Sequence, residues 1–129
     1  MSPAFKRSRQ VAHVTILVVD DEPLIRLDIA YMLEDLGYQT IEASNADEAM
    51  QLLAELPHIA AIVTDVDMPG TMDGRQLAMT VSNRWAPCKL IVMSGHRMLT
   101  APDLPSGAVF ISKPVPARQL ASALAGFGV

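Results

Sequence analysis

A chain of 129 residues, half of them hydrophobic and 19% charged, is too apolar to be a disordered linker. It is long enough to bury roughly two-thirds of its unfolded surface around one core without cross-links. Ten basic and fourteen acidic residues give a net charge of −4, and one cysteine, Cys88, excludes an internal disulfide framework and fits a reducing compartment.

The opening residues, MSPAFKRSRQVAHV, carry Lys6, Arg7 and Arg9 but no apolar segment of the kind a secretory signal needs. Residues 1–12 read as a basic flexible tail and 13–129 as a single domain. Setting those three cations aside leaves seven basic against fourteen acidic residues. A body this acidic is a poor direct binder of duplex DNA, whose affinity comes mostly from phosphate neutralisation. No apolar run reaches the roughly 18 residues of a membrane span. The expectation is a cytoplasmic protein without membrane association or direct DNA binding.

VTILVV (14–19) is a continuous apolar, β-branched run, the pattern of a strand buried on both faces. PLIRLDIAYMLEDLG (23–37) follows as a helix, with Pro23 suited to its first turn, Gly37 to its stop, and Ile25, Ile29, Met32, Leu33 and Leu36 on one face. YQTIEA (38–43) is a second strand. Asn45 to Glu48 has the spacing of a capping box, opening a helix with Ala49, Leu52, Leu53 and Leu56 on its apolar side. IAAIVT (59–64) and KLIVM (89–93) are two further buried strands, separated by a helix carrying Leu77, Ala78, Val81 and Trp85. AVFIS (108–112) is the fifth strand, and Pro116 opens a last helix along Leu120 and Leu124. Thirteen residues separate Ser94 from Ala108, interrupted by Pro102, Pro105 and Gly107, so the fourth helix is expected to shrink to one or two turns. With the chain ending soon after the last helix, no output domain is expected. Strands alternating with helices imply an α/β fold with a parallel sheet covered on both faces.

The chemistry gathers where the buried strands end. The first ends in Asp20-Asp21, the third in Asp65, the fourth in Ser94, and the fifth in Ser112-Lys113. In an open parallel sheet these ends share one edge, where ligands bind. Three carboxylates brought together repel one another unless a cation joins them. An all-oxygen ligand set without clustered His or Cys selects a hard ion, Mg²⁺ being the natural candidate. Carboxylate, Mg²⁺, ammonium and hydroxyl are the parts that phosphoryl transfer uses. His13, His58 and His96 have no metal spacing and read as surface or turn residues, while Met68 and Met72 read as loop packing.

LVVDDEP around Asp20 and Asp21, IVTDVDMPGTMDG around Asp65, IVMSG around Ser94 and FISKP around Lys113 together resemble the receiver domain of bacterial two-component response regulators. The resemblance spans residues 14–126. It implies a doubly wound, flavodoxin-like five-stranded sheet of order 2-1-3-4-5. It further implies that Asp65 is the phosphoacceptor, phosphorylated from a phosphohistidine of a partner histidine kinase or histidine phosphotransfer protein. Asp21 then corresponds to the direct Mg²⁺ ligand, Asp20 to a ligand acting partly through water, and Asp67 to the ligand that offers its backbone carbonyl. Lys113 corresponds to the lysine that bonds a phosphoryl oxygen, Ser94 to the switching hydroxyl, Phe110 to the aromatic that moves with it, and Pro114 to a proline that often follows a cis bond. Such a protein is a phosphoacceptor switch with self-catalysed phosphoryl uptake and hydrolysis only, not an enzyme acting on other substrates. A homodimer is compatible with it.

Three features depart from the commonest family pattern: an extra residue between Pro69 and Asp73, an acid at Asp67 where many relatives carry Asn, and the shortened fourth helix. Asp67 and His96 are expected to tune acyl-phosphate hydrolysis. Phe110 also suits plain core packing, and Ser94 a simple turn cap. Two alternatives stay open. One is a pseudo-receiver that serves only as an interaction scaffold. The other is a phosphohydrolase of the haloacid-dehalogenase type, whose DxD motif Asp65-Val66-Asp67 resembles, although that motif ordinarily follows a first strand.

Overall fold

A computed structural model describes residues 14–68, 73–85, 88–95 and 104–129. In chain order the elements are β1 (Thr15–Val19), α1 (Pro23–Asp35), β2 (Gln39–Ala43), α2 (Ala46–Glu55), β3 (Ala61–Asp65), α3 (Gly74–Arg84), β4 (Lys89–Ser94), β5 (Val109–Ser112) and α4 (Ala117–Phe127). All strand pairs are parallel and the sheet order is β2-β1-β3-β4-β5. This is the doubly wound arrangement expected.

The unbroken apolar runs are explained by two cores, one on each face of the sheet. Side chains alternate across a strand, so Leu17, Val19, Ile62 and Val92 meet Leu53 of α2 and Leu77 and Val81 of α3. On the other face Ile16, Val18, Val63 and Ile91 meet Ile29 and Leu33 of α1 and Leu120 and Leu124 of α4. A strand serving both cores has no polar face to show. The edge strand β2 is the contrast: of its five residues only Ala43 is buried.

Helix ends follow local chemistry. α1 begins at Pro23, whose missing N–H would have had no helical partner, and stops before Gly37, which adopts φ 99°. Leu36, expected on the buried face, is part of that unwinding end and is exposed. At α2 the Asn45 side chain accepts from the Glu48 N–H at 2.8 Å, but Glu48 reaches back to the N–H of Ser44 at 2.6 Å, one residue short of a reciprocal box. The reciprocal box lies at α3, where Asp73 Oδ1 accepts from the Gln76 N–H and Gln76 Oε1 from the Asp73 N–H. Strand bounds differ from expectation by a residue or two. Ile59 and Ala60 precede β3, with the Ala60 N–H donating to the Thr15 carbonyl. The short helix expected between β4 and β5 would fall largely on residues 96–103, outside the described residues, as do Met72, His96 and the tail at 1–12.

The winding reverses between β1 and β3. From β1 the chain crosses one face through α1 to reach β2, then returns over the other face through α2 to β3. A crevice opens at the carboxyl ends of strands flanking such a reversal. α3 closes one side of it at very short range. The Gly74 N–H donates to the Val66 carbonyl at 3.0 Å, and a Cβ built on Gly74 would lie 1.8 Å from the Asp65 carbonyl oxygen. Only a residue without a side chain fits there. Replacing Gly74 by Ala should therefore cost about 2 kcal/mol or more in urea unfolding, an overpacking loss that outweighs alanine's better helix propensity. The amide resonances of Asp65 to Asp67 should shift as well; a neutral or stabilising Ala would refute the contact.

Cys88, at the edge of the α2–α3 core, is buried, and burial pushes its thiol from an ordinary value of 9.0 to about 11. The folded thiol keeps its proton where the unfolded chain loses it. Its contribution to stability is thus full below about pH 9 and fades as the pH rises through about 11. At pH 8 about one folded thiol in a thousand is ionised, against about one in ten at a pKa of 9. Thiol alkylation at pH 8 should be slow in the native protein and rapid in denaturant; equal rates in both would contradict this burial.

Candidate functional site

Side chains from the ends of three strands, β1, β3 and β5, meet in the crevice, and β4 ends between the latter two. Asp20 directly follows β1 and is fully buried, while Asp21 beside it is exposed. Asp65 is the last residue of β3 and 4% exposed; Ser94 is the last residue of β4 and 2% exposed. Lys113 directly follows β5. Its Nζ lies 3.1 Å from Asp20 Oδ2 and 3.2 Å from Asp65 Oδ1. Ligating oxygens of Asp20, Asp21 and Asp65 all fall within 4.8 Å of one another. The groups that the sequence separates by almost the whole chain meet in a cavity of about 450 Å³ lined by Asp21, Asp65, Asp67, Gly95 and Lys113, among others.

Backbone bonds hold this arrangement. The Asp20 N–H donates to the Ala43 carbonyl at 3.1 Å, tying the end of β1 to β2. The Glu22 N–H donates to Asp20 Oδ1 at 2.9 Å, closing a short turn and leaving Oδ2 to face the lysine. The Asp67 N–H donates to Asp65 Oδ1 at 3.3 Å, and the Val66 N–H to the Met93 carbonyl at 2.9 Å. The Lys113 N–H donates to the Ser94 carbonyl at 3.0 Å, which aligns β5 with β4 at the edge of the cavity. The Lys113–Pro114 peptide is cis, as the family resemblance implies for Pro114.

Electrostatics follow from burial. Desolvation pushes the Asp65 carboxyl above its ordinary value against the pull of the Lys113 ammonium, and the Asp20 charge adds to the rise. For Lys113, burial works to lower the pKa, but hydrogen bonding and charge from Asp20 and Asp65 outweigh it and hold the ammonium above its ordinary value. The lysine is therefore a fixed positive charge. Three carboxylates against this one ammonium leave two negative charges uncompensated within the group.

The donor set fits a hard divalent cation. It offers only oxygen, and Asp20 Oδ2 is a fully buried carboxylate oxygen that faces the Lys113 ammonium at 3.1 Å. Of the remaining sequence candidates, Asp67 is exposed and lines the cavity, and Phe110 is half-buried on β5 in register with Val92. Met68 packs into the α2–α3 core, as expected. Sequence reading overlooked Gly74, whose close approach to Asp65 leaves no periodic signal, and the Asp73–Gln76 box that starts its helix, which was visible as a D-x-x-Q pattern.

Comparison with known proteins agrees with this geometry. The positive alginate biosynthesis regulatory protein of Pseudomonas aeruginosa is 38% identical over 116 residues, covering 86% of this chain and 46% of that one. The transcriptional regulatory protein PdtaR of Mycobacterium tuberculosis is 36% identical over 115 residues, covering 82% of this chain and 55% of that one. The chain thus spans about half the length of these curated relatives. Among solved structures, a response regulator receiver protein from Sinorhizobium medicae superposes with a TM-score of 0.82 at 29% identity, over 88% of this chain and 93% of that one. The receiver domain of the hybrid histidine kinase CckA gives 0.74 at 28%, over 88% and 97%. Residues 16–125 match the response regulator receiver domain, and the chain belongs to that family.

Proposed function

We propose that this chain is a cytoplasmic receiver phosphorylated on Asp65 by a partner histidine kinase or histidine phosphotransfer protein. The observation that carries the reading is the Lys113 ammonium held between Asp20 and Asp65 at 3.1 and 3.2 Å, with Asp21 completing the acidic group. A lysine so placed neutralises charge on a phosphoryl group arriving at Asp65.

In the reaction an Asp65 oxygen attacks phosphorus in line with the bond to the donor imidazole. The P–N bond breaks, its electron pair stays on the imidazole nitrogen, and solvent supplies that nitrogen's proton. Lys113 shifts its contact from the carboxylate to a phosphoryl oxygen. Asp20, Asp21 and Asp65, with the Asp67 carbonyl, would hold Mg²⁺, which when bound supplies further positive charge for the phosphoryl oxygens. Water attack on phosphorus later releases inorganic phosphate and restores the carboxylate. The chain thus acts as a switch and carries out only its own phosphoryl uptake and hydrolysis.

Ser94 and Phe110 are the proposed readout. Added charge at Asp65 draws the Ser94 hydroxyl inward, and Phe110, on the strand beside it, repositions with it. The change reaches a partner through an altered surface. It is limited to the difference in contact energy between the two states, on the order of a few kcal/mol.

Incubation with Mg²⁺ and acetyl phosphate should add one hydroxylamine-labile phosphoryl group, seen by intact mass. Asp65→Asn should take up none, chelation with EDTA should prevent uptake, and Lys113→Ala should slow it by about 100-fold. An unmodified wild-type chain would favour the scaffold reading, and many turnovers per chain a phosphohydrolase.

A further inference from the structure

Arg26, one turn into α1, makes two contacts that the phosphoryl chemistry does not account for. Its Nη1 donates to the backbone carbonyl of Asp20 at 2.9 Å, and its Nε donates to Glu42 Oε1 of β2, also at 2.9 Å. The side chain is only 20% exposed, against 36% for Glu42. Taken alone, an Arg–Glu pair near the surface contributes little. The bond to Asp20 changes its meaning, because that carbonyl belongs to a fully buried acid whose side chain faces Lys113.

Mutual repulsion among Asp20, Asp21 and Asp65 favours any backbone movement that spreads them. The turn that carries the first two has one bond to β2 through the Asp20 N–H and one internal bond through Asp20 Oδ1. The guanidinium adds a brace on the carbonyl side, anchored at its other end on Glu42. Its planar fork fixes both bonds in one orientation, which a lysine ammonium cannot reproduce. We infer that Arg26 is a positioning residue for cation binding, pinning the Asp20 backbone to Glu42 so that Asp20 and Asp21 are held ready for the ion. The inference rests on the receiver reading given above.

The test is a Mg²⁺ chloride titration of the full chain, followed by the amide shifts of Val66 and Asp67, alongside the rate of acetyl-phosphate uptake at saturating Mg²⁺ and the melting temperature of metal-free protein. Arg26→Gln should weaken Mg²⁺ about tenfold, in the range seen when groups supporting a metal ligand are lost. Uptake at saturating Mg²⁺ should stay within about twofold of wild type, since the brace touches no reacting atom. Arg26→Lys, with a single donor group, should recover part of the affinity. An unchanged dissociation constant, with or without a lower melting temperature, overturns the inference. So does a fall in saturated rate without a loss of affinity. Should Arg26→Gln fail to fold, Glu42→Ala is judged by the same titration, with a higher dissociation constant expected and no change overturning the brace. A wild-type protein that binds no Mg²⁺ removes the receiver reading itself, whereas wild-type binding with unaltered variants removes only the role of Arg26.

Discussion

Lys113 stands between two carboxylates that have no reason to approach each other except through it. Asp20 directly follows one central strand and Asp65 ends its neighbour, and their charges repel across the crevice. The ammonium screens them in the protein as it stands, and its own burial is tolerated because both acids hold it charged. The rest of the fold can be understood as the support for this contact. β1 and β3 must be adjacent for the acids to meet, β5 must lie in register with β4 for the lysine to reach them, and the reversal of winding must leave the crevice open.

The two-sided core supplies the stiffness. Each of β1, β3 and β4 buries alternate residues against helices on opposite faces, so a shift of any one strand disturbs both layers. On one flank α3 seats directly on the Asp65 backbone through Gly74. On the other, Arg26 ties the Asp20 turn to β2. The acids are thus constrained from both sides by contacts that never touch their carboxylates.

Much of this was legible in the sequence because burial on both faces writes itself as an unbroken apolar run, and four such runs ended in polar residues. Asp20, Asp21, Asp65, Ser94 and Lys113 could be placed on one edge from those endings alone. The helical faces were legible where periodicity governs, as for Ile29, Leu33, Leu77, Val81, Leu120 and Leu124. It failed at helix ends, where backbone geometry takes over: Leu36 leaves the buried face as α1 unwinds into Gly37, and Glu48 caps Ser44 in place of Asn45. Gly74 and Arg26 could not be read at all. A lone glycine and a lone arginine acquire their roles from distances between strands and helices that no local spacing encodes.

The strands bearing the acids each have a hydrogen-bonded neighbour on both sides, whereas β5, which bears the lysine, pairs with β4 only. The crevice therefore has a stiff wall and a compliant one. A load applied between the two is shared unevenly, with the acid wall serving as anvil and the yielding taken up by the outermost four-residue strand and the loop beyond it.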